Sequence, residues 1–239
     1  MICVTNDDGV SEGMHALLKA AKSIDDAYAI VPNRQRSAVS RALTLHKPLR
    51  IHEEGNDVYT LNGTPADCVL FSLFSGELEK PDLVLSGINW GNNCCRGPIV
   101  GSGTIGACWM ATLERVPSIA FSLQRKGHDW KNKEKWGDEQ KLADSVLRIV
   151  DELKPKLGPD KFFNVNFPEE PYDAEIVYTQ KLQRKHWKTV IEKRHDPNNV
   201  PYFWISGVEK PHEEGTDLHE LIVKNRIVIT ELSYSSVIA

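Results

Sequence analysis

Apolar positions along the first third of the chain switch between two periods, and each switch marks an element. Residues 2–5 are a short β-type run, and then Met14, Leu17, Leu18 and Ala21 fall at i, i+3, i+4 and i+7, which predicts an amphipathic helix over 11–22. Residues 28–31 read as a second strand closed by Pro32, and 33–40 follow without a period, as a loop at a strand end. Leu43, Leu45, Leu49 and Ile51 sit at period-2 spacing; with the Gly55-Asn56 turn signal and the run 58–61 they predict a β-hairpin. Further along, 65–75 and 103–113 read as helices and 82–86 and 118–122 as short strands. Leu142, Val146, Ile149, Val150 and Leu153 place a helix over 138–153, and 162–167 is a last core strand before the break at Pro168 to Pro171.

Strands alternating with helices imply an α/β fold: a Rossmann-like, doubly wound, mainly parallel sheet over residues 1–170. After 171 the character changes to strands around 175–179, 202–207 and 226–232 with a short helix over 217–223. Residues 171–239 are therefore expected to form a β-rich C-terminal extension.

Composition narrows the function classes. With 29 Lys plus Arg against 33 Asp plus Glu in 239 residues, the net charge of −4 excludes a polybasic nucleic-acid binder, and nucleic acid is not the expected partner. The five cysteines are odd in number, lack C-x-x-C spacing and read as reduced. No apolar run approaches bilayer length, and the amino terminus carries no leader pattern, so no membrane contact and a cytoplasmic location are expected.

The candidate chemistry gathers at strand ends, where open α/β sheets bind ligands. Asn6-Asp7-Asp8-Gly9 follows the first strand, and two carboxylates converging where the chain turns suit Mg²⁺ or Mn²⁺; a simple turn is the alternative. Pro32-Asn33-Arg34-Gln35-Arg36-Ser37 follows the second strand; Ser37 offers a neutral oxygen ligand, and Arg34 and Arg36 either draw an anion or are solvated charges. Ser86-Gly87-Ile88-Asn89 leaves a third strand, with Asn89 either an oxygen ligand or a turn residue. Gly101-Ser102-Gly103-Thr104 opens a helix, where free N–H groups and the helix dipole favour an anion such as phosphate, or Ser102 simply caps. In Gly63-Thr64-Pro65-Ala66-Asp67-Cys68, Thr64 and Asp67 form a capping box with proline first in the helix. The segment 181–195 holds six Lys or Arg, one acid (Glu192) and Trp187; it reads as a solvated hairpin arm or subunit contact, with RNA or nucleobase binding as the lesser alternative.

Taken together and in order, these motifs, with Thr44-Leu45-His46-Lys47-Pro48-Leu49-Arg50, resemble the SurE (survival protein E) family of 5′-nucleotidases and acid phosphatases. The resemblance spans roughly the first 125 residues and continues in Trp204, Thr216-Asp217 and 227–232. It implies a metal-dependent phosphomonoesterase acting on nucleoside monophosphates, a C-terminal extension exchanged between subunits, and a homodimer or homotetramer; 3′-nucleotides and polyphosphate are left open. Carried over by position, one divalent metal ion falls to Asp7, Asp8, Ser37 and Asn89, and the phosphate to Ser102, Gly103 and Thr104. Asp7 is the carboxylate expected nearest the chemistry, with attack by water favoured over an aspartyl-phosphate.

The chain departs from the family pattern at Asn33, where aspartate is usual, and at Arg41, where histidine is frequent. Cys94-Cys95-Arg96-Gly97-Pro98 replaces a more regular loop, and Gly101 stands where an aromatic is common. None of these touches an expected ligand. The altered loop and the basic arm motivate the rival reading, a non-hydrolytic nucleotide- or RNA-binding regulator using the same pocket. A nicotinamide-dependent oxidoreductase is disfavoured because no G-x-G-x-x-G follows the first strand.

Overall fold

A computed structural model of the chain describes residues 1–125 and 138–234. The first strand, β1 (Ile2–Thr5), feeds helix α1 (Glu12–Lys22), whose start is fixed by Ser11: its hydroxyl accepts from the Met14 N–H. Strand β2 (Ala27–Pro32) lies parallel to β1. The hairpin β3 (Ile51–Gly55) and β4 (Val58–Leu61) follows, and β4 pairs parallel with β2.

The alternating stretch 43–49 is not part of that hairpin, contrary to the expectation from its pattern. Leu43 and Leu45 are exposed, and β3 begins only at Ile51. Side chains take the place of a strand partner: the Thr44 N–H donates to Asp67 Oδ1, the Arg50 N–H donates to Asn62 Oδ1, and Asn62 Nδ2 donates to the Pro48 carbonyl. Pro48 itself has no N–H to give to a ladder.

Helix α2 (Pro65–Phe74) opens with the expected capping box, reciprocal between Thr64 and Asp67, an arrangement worth about 1 kcal/mol. Strand β5 (Leu83–Trp90) is longer than expected and carries Asn89 inside it, beyond a register shift against its neighbour between Ser86 and Asn89. The shift occurs where Gly87, at φ +137°, brings the backbone against the Phe121 carbonyl, so close that a Cβ there would lie 2.3 Å from the oxygen. A short helix that the sequence pattern did not show, α3 (Arg96–Gly101), precedes α4 (Gly103–Leu113), which Ser102 caps by accepting from the Ile105 N–H.

Strands β6 (Ser118–Leu123) and β7 (Lys161–Phe167) flank α5 (Glu139–Leu153), capped by Asp138. In the C-terminal part, β8 (Ile176–Tyr178) and β11 (Ile227–Ser233) enter the main sheet, β11 antiparallel to β7 and β8 parallel to β11. Strands β9 (Trp187–His195) and β10 (Pro201–Glu209) form a separate antiparallel ribbon, and α6 (Asp217–Ile222) sits between ribbon and sheet in sequence. Among the described residues the main sheet has nine strands in the order β3-β4-β2-β1-β5-β6-β7-β11-β8. It is doubly wound and mainly parallel, as expected, with residues of α1 and α5 in the core on one face and of α2 and α4 in that on the other. All five cysteines are unbridged and buried, and no helix among the described residues is long and apolar enough to cross a membrane.

Candidate active site

Strands β2, β1 and β5 are adjacent and parallel, so their carboxyl ends open on one edge of the sheet. At the end of β1 the turn is built by Asn6, whose Nδ2 donates to the Gly9 carbonyl while its Oδ1 accepts the Gly9 N–H. Gly9 adopts φ +80°, and a Cβ there would sit 3.0 Å from the Pro32 carbonyl at the end of β2. Asn6 is thus a structural member of the motif, holding Asp7 and Asp8 where the chain reverses.

Asp7 is 4% exposed. Thr104 Oγ1 donates to its Oδ1 at 2.6 Å, and a hydrogen bond from the Gly103 backbone adds to the hold on its carboxylate. Burial, and next the charge of Asp8, push the Asp7 carboxyl up to about 6, with Thr104 opposing. Asp8 is half-buried; its Oδ2 accepts the Trp90 N–H at 3.3 Å and its Oδ1 accepts Gln35 Nε2 at 3.3 Å. Its carboxyl is also raised, chiefly by burial. Trp90, whose backbone N–H reaches Asp8, carries the Arg125 guanidinium 4.2 Å from its ring centroid.

The loop 33–42 is laced over this edge. The Arg36 N–H donates to the Asp7 carbonyl at 2.6 Å, Arg36 Nε donates to the Gly63 carbonyl, and Ser40 donates through its N–H to Gly101 and through its hydroxyl to Val100. Arg41 extends to the Tyr234 hydroxyl at 2.8 Å. Arg36 is therefore occupied in positioning, whereas Arg34 is exposed. Ser37 is exposed, one residue beyond the Arg36 contact to Asp7. Asn89 is half-buried and precedes the residue that binds Asp8; its Nδ2 donates to the Gly91 carbonyl at 2.7 Å, which leaves its amide oxygen for another partner.

Of the residues expected at phosphate, Thr104 is already engaged with Asp7 and Ser102 accepts from Ile105, keeping its own proton to donate. The first turn of α4 meets Asp7 at van der Waals limit: a Cβ on Gly103 would lie 2.8 Å from Asp7 Cβ and 3.0 Å from its Oδ2. The link from Thr104 to Asp7 was missed in the sequence, because nothing local joins residues 97 positions apart. It gives a testable role. Thr104→Val keeps the shape but removes the hydroxyl that lowers the Asp7 pKa, so the acidic limb of a metal-binding or activity profile should move to higher pH, with a loss of about tenfold near pH 6. An unchanged profile would remove Thr104 from the site.

The donors here fit a hard divalent cation: two adjacent carboxylates, both raised by burial, with a hydroxyl and an amide oxygen on neighbouring segments. A bound cation would offset the cost of burying them together.

A family model described as Survival protein SurE matches residues 2–189. A 5′-nucleotidase SurE of Thermofilum pendens is 37% identical over 249 residues, covering 100% of this chain and 92% of its own. One of Geobacter sulfurreducens is 38% identical over 236 residues, covering 97% and 87%. Among solved structures, the SurE protein of Aquifex aeolicus superposes with a TM-score of 0.77 at 31% identity, covering 97% of this chain and 92% of that one. The resemblance read from ordered motifs is therefore matched along nearly the whole chain.

Proposed function

This chain belongs to the SurE family, and on that premise we propose that it is a metal-dependent phosphomonoesterase releasing phosphate from nucleoside 5′-monophosphates. The observation that carries the reading is the pair of buried Asp7 and half-buried Asp8 at the sheet edge, with the first turn of α4 brought onto Asp7 by Thr104. Asp7, Asp8, Ser37 and Asn89 would hold the ion. When bound, Mg²⁺ or Mn²⁺ supplies positive charge against the phosphoryl oxygens, the main lever in phosphoryl transfer.

The protein's own groups do the rest. The start of α4 presents the Ser102 hydroxyl to the phosphate, with the helix dipole favouring its charge. Asp7, beside the start of α4, is the carboxylate placed to orient an attacking water and take its proton. The Trp90 ring with the Arg125 guanidinium over it, on the residue whose backbone N–H reaches Asp8, is the flat surface a nucleobase would pack against. The ribbon β9–β10 exposes Ile191, Phe203, Trp204, Ile205 and Val208, an apolar arm suited to being covered by a second copy in a dimer or tetramer.

The test is phosphate release from nucleoside 5′- and 3′-monophosphates and polyphosphate by chelator-stripped protein, before and after adding Mg²⁺ or Mn²⁺. Release from 5′-monophosphates is expected only with metal. Nucleotides that raise the melting temperature while no phosphate appears with either ion would favour the binding regulator instead.

A further inference from the structure

At the root of the arm, where β9 begins and β10 ends, three side chains that can each ligate a metal converge. His186 Nε2 lies 2.9 Å and His212 Nε2 lies 3.1 Å from the same oxygen, Glu209 Oε1, and the ligand atoms of the three all lie within 4.8 Å of one another. We propose that His186, Glu209 and His212 form a second metal site, separate from the Asp7-Asp8 edge, that takes Zn²⁺ or a similar borderline-soft divalent ion.

Backbone pairing sets up the convergence. Glu209 is the register partner of Trp187, so His186 comes next to it at the end of the ladder, where the Lys210 N–H donates to the His186 carbonyl at 2.9 Å. Pro211 then turns the chain so that His212 folds back onto the same carboxylate. Gln183 fastens this turn, donating through Nε2 to the Pro211 carbonyl and accepting the Glu213 N–H at Oε1. Little chain freedom remains to be lost when an ion binds.

The spacing is close to what an ion requires. Tetrahedral zinc with ligands at about 2.0–2.2 Å places neighbouring donor atoms about 3.3–3.5 Å apart, so the two contacts to Glu209 Oε1 open by a few tenths of an ångström while the two imidazoles, within 4.8 Å of each other, draw in to that separation. The side chains of His186 and His212 are 9% and 19% exposed while that of Glu209 is 50% exposed, so the cluster has a protein side and a water side where a fourth ligand enters. Two imidazoles and one carboxylate select zinc over Mg²⁺ or Mn²⁺, whereas the oxygen donors expected at Asp7 select the reverse. The thiols do not compete, since every cysteine is buried.

The experiment uses the full chain, stripped with chelator and held in excess Mg²⁺ so that the oxygen-ligand site is filled, then titrated with Co²⁺ as an optical stand-in for zinc. One Co²⁺ per chain with the intense visible absorption of four-coordinate cobalt is expected, bleached by Zn²⁺. His212→Ala and the near-isosteric Glu209→Gln should each weaken binding at least tenfold, while Asp8→Asn keeps the band. Absence of the band, its survival in both arm variants with circular dichroism unchanged, or its loss in Asp8→Asn would overturn the proposal.

Discussion

Replacing Asp7 by Asn is expected to lower metal-supported phosphate release by roughly 10³-fold and, above pH 6, to raise the melting temperature of the metal-free protein. The two effects share one cause. Asp7 is 4% exposed, and its carboxyl stands at about 6 against an ordinary 3.8 because burial and the neighbouring Asp8 disfavour its charge. The folded chain therefore binds this proton more tightly than the unfolded one. Stability from this group is fully present below about 3.8, falls as pH rises towards 6, and above 6 the ionised carboxylate costs on the order of 3 kcal/mol.

Asparagine keeps the shape and one acceptor but carries no charge, so most of that cost disappears. One of the two contacts from Thr104 and Gly103 is lost with the second oxygen, which trims the gain. At about 2–4 °C per kcal/mol for a domain of this size, a rise of several degrees should remain. The same charge is what would hold a divalent ion, so Mg²⁺ or Mn²⁺ should stabilise the wild-type chain and not the variant. Thermal melts at pH 5 and pH 7.5, with and without metal, check this beside an assay of phosphate release. Full turnover in the variant at saturating metal, or a lower melting temperature without metal at pH 7.5, would remove Asp7 from the centre of the site.

Much of this edge was legible in the sequence because its signals are local. Ser11, Thr64 with Asp67, and Ser102 mark helix starts through hydrogen bonds reaching three residues, and each caps where its pattern placed it. Short apolar runs placed β1, β2 and β6 within a residue or so for the same reason.

What the sequence hid depends on partners far along the chain. The alternation of Leu43, Leu45 and Leu49 looks like a strand, yet side chains of Asp67 and Asn62, not a neighbouring strand, bond the surrounding backbone. Asn89 was expected after its strand and lies inside β5, because the pairing resumes beyond the irregularity at Gly87. Strands β8 and β11 were read as belonging to an appendage, but they complete the core sheet beyond β7, a pairing that spans some sixty residues of sequence. The cluster at His186 was read as a basic arm; Glu209 and His212, which give it its chemistry, come from the far strand and the turn after it.

Substituting Gly106 by alanine should destabilise the chain by about 1–3 kcal/mol and cut phosphate release by roughly 10²-fold, although alanine is by itself the better helix former by about 1 kcal/mol. Gly106 lies in the second turn of α4, facing the loop that crosses the site. A Cβ there would stand 2.1 Å from the Ser40 carbonyl oxygen and 2.6 Å from its carbon, both backbone atoms, so the loop must move by about an ångström or more. That loop has little slack. Ala38 and Ser40 both occupy the left-handed region, at φ 57° and 53°, a conformation that costs about 1–2 kcal/mol per residue and persists only while its anchors hold. The anchors are the Ser40 bonds to Val100 and Gly101 and the Arg36 N–H on the Asp7 carbonyl. Displacing Ser40 loosens them together, and Ser37 shifts with them relative to Asp7 and Asp8. The loss should therefore show as weaker metal activation as well as slower turnover. Gly101→Ala is the matched control: it lies at the end of α3, and a Cβ there meets nothing within 4 Å. Metal-activation curves of the two variants separate the explanations. Equal losses would mean that the helix start tolerates no side chain; full activity in Gly106→Ala would mean that the loop is not held by this contact.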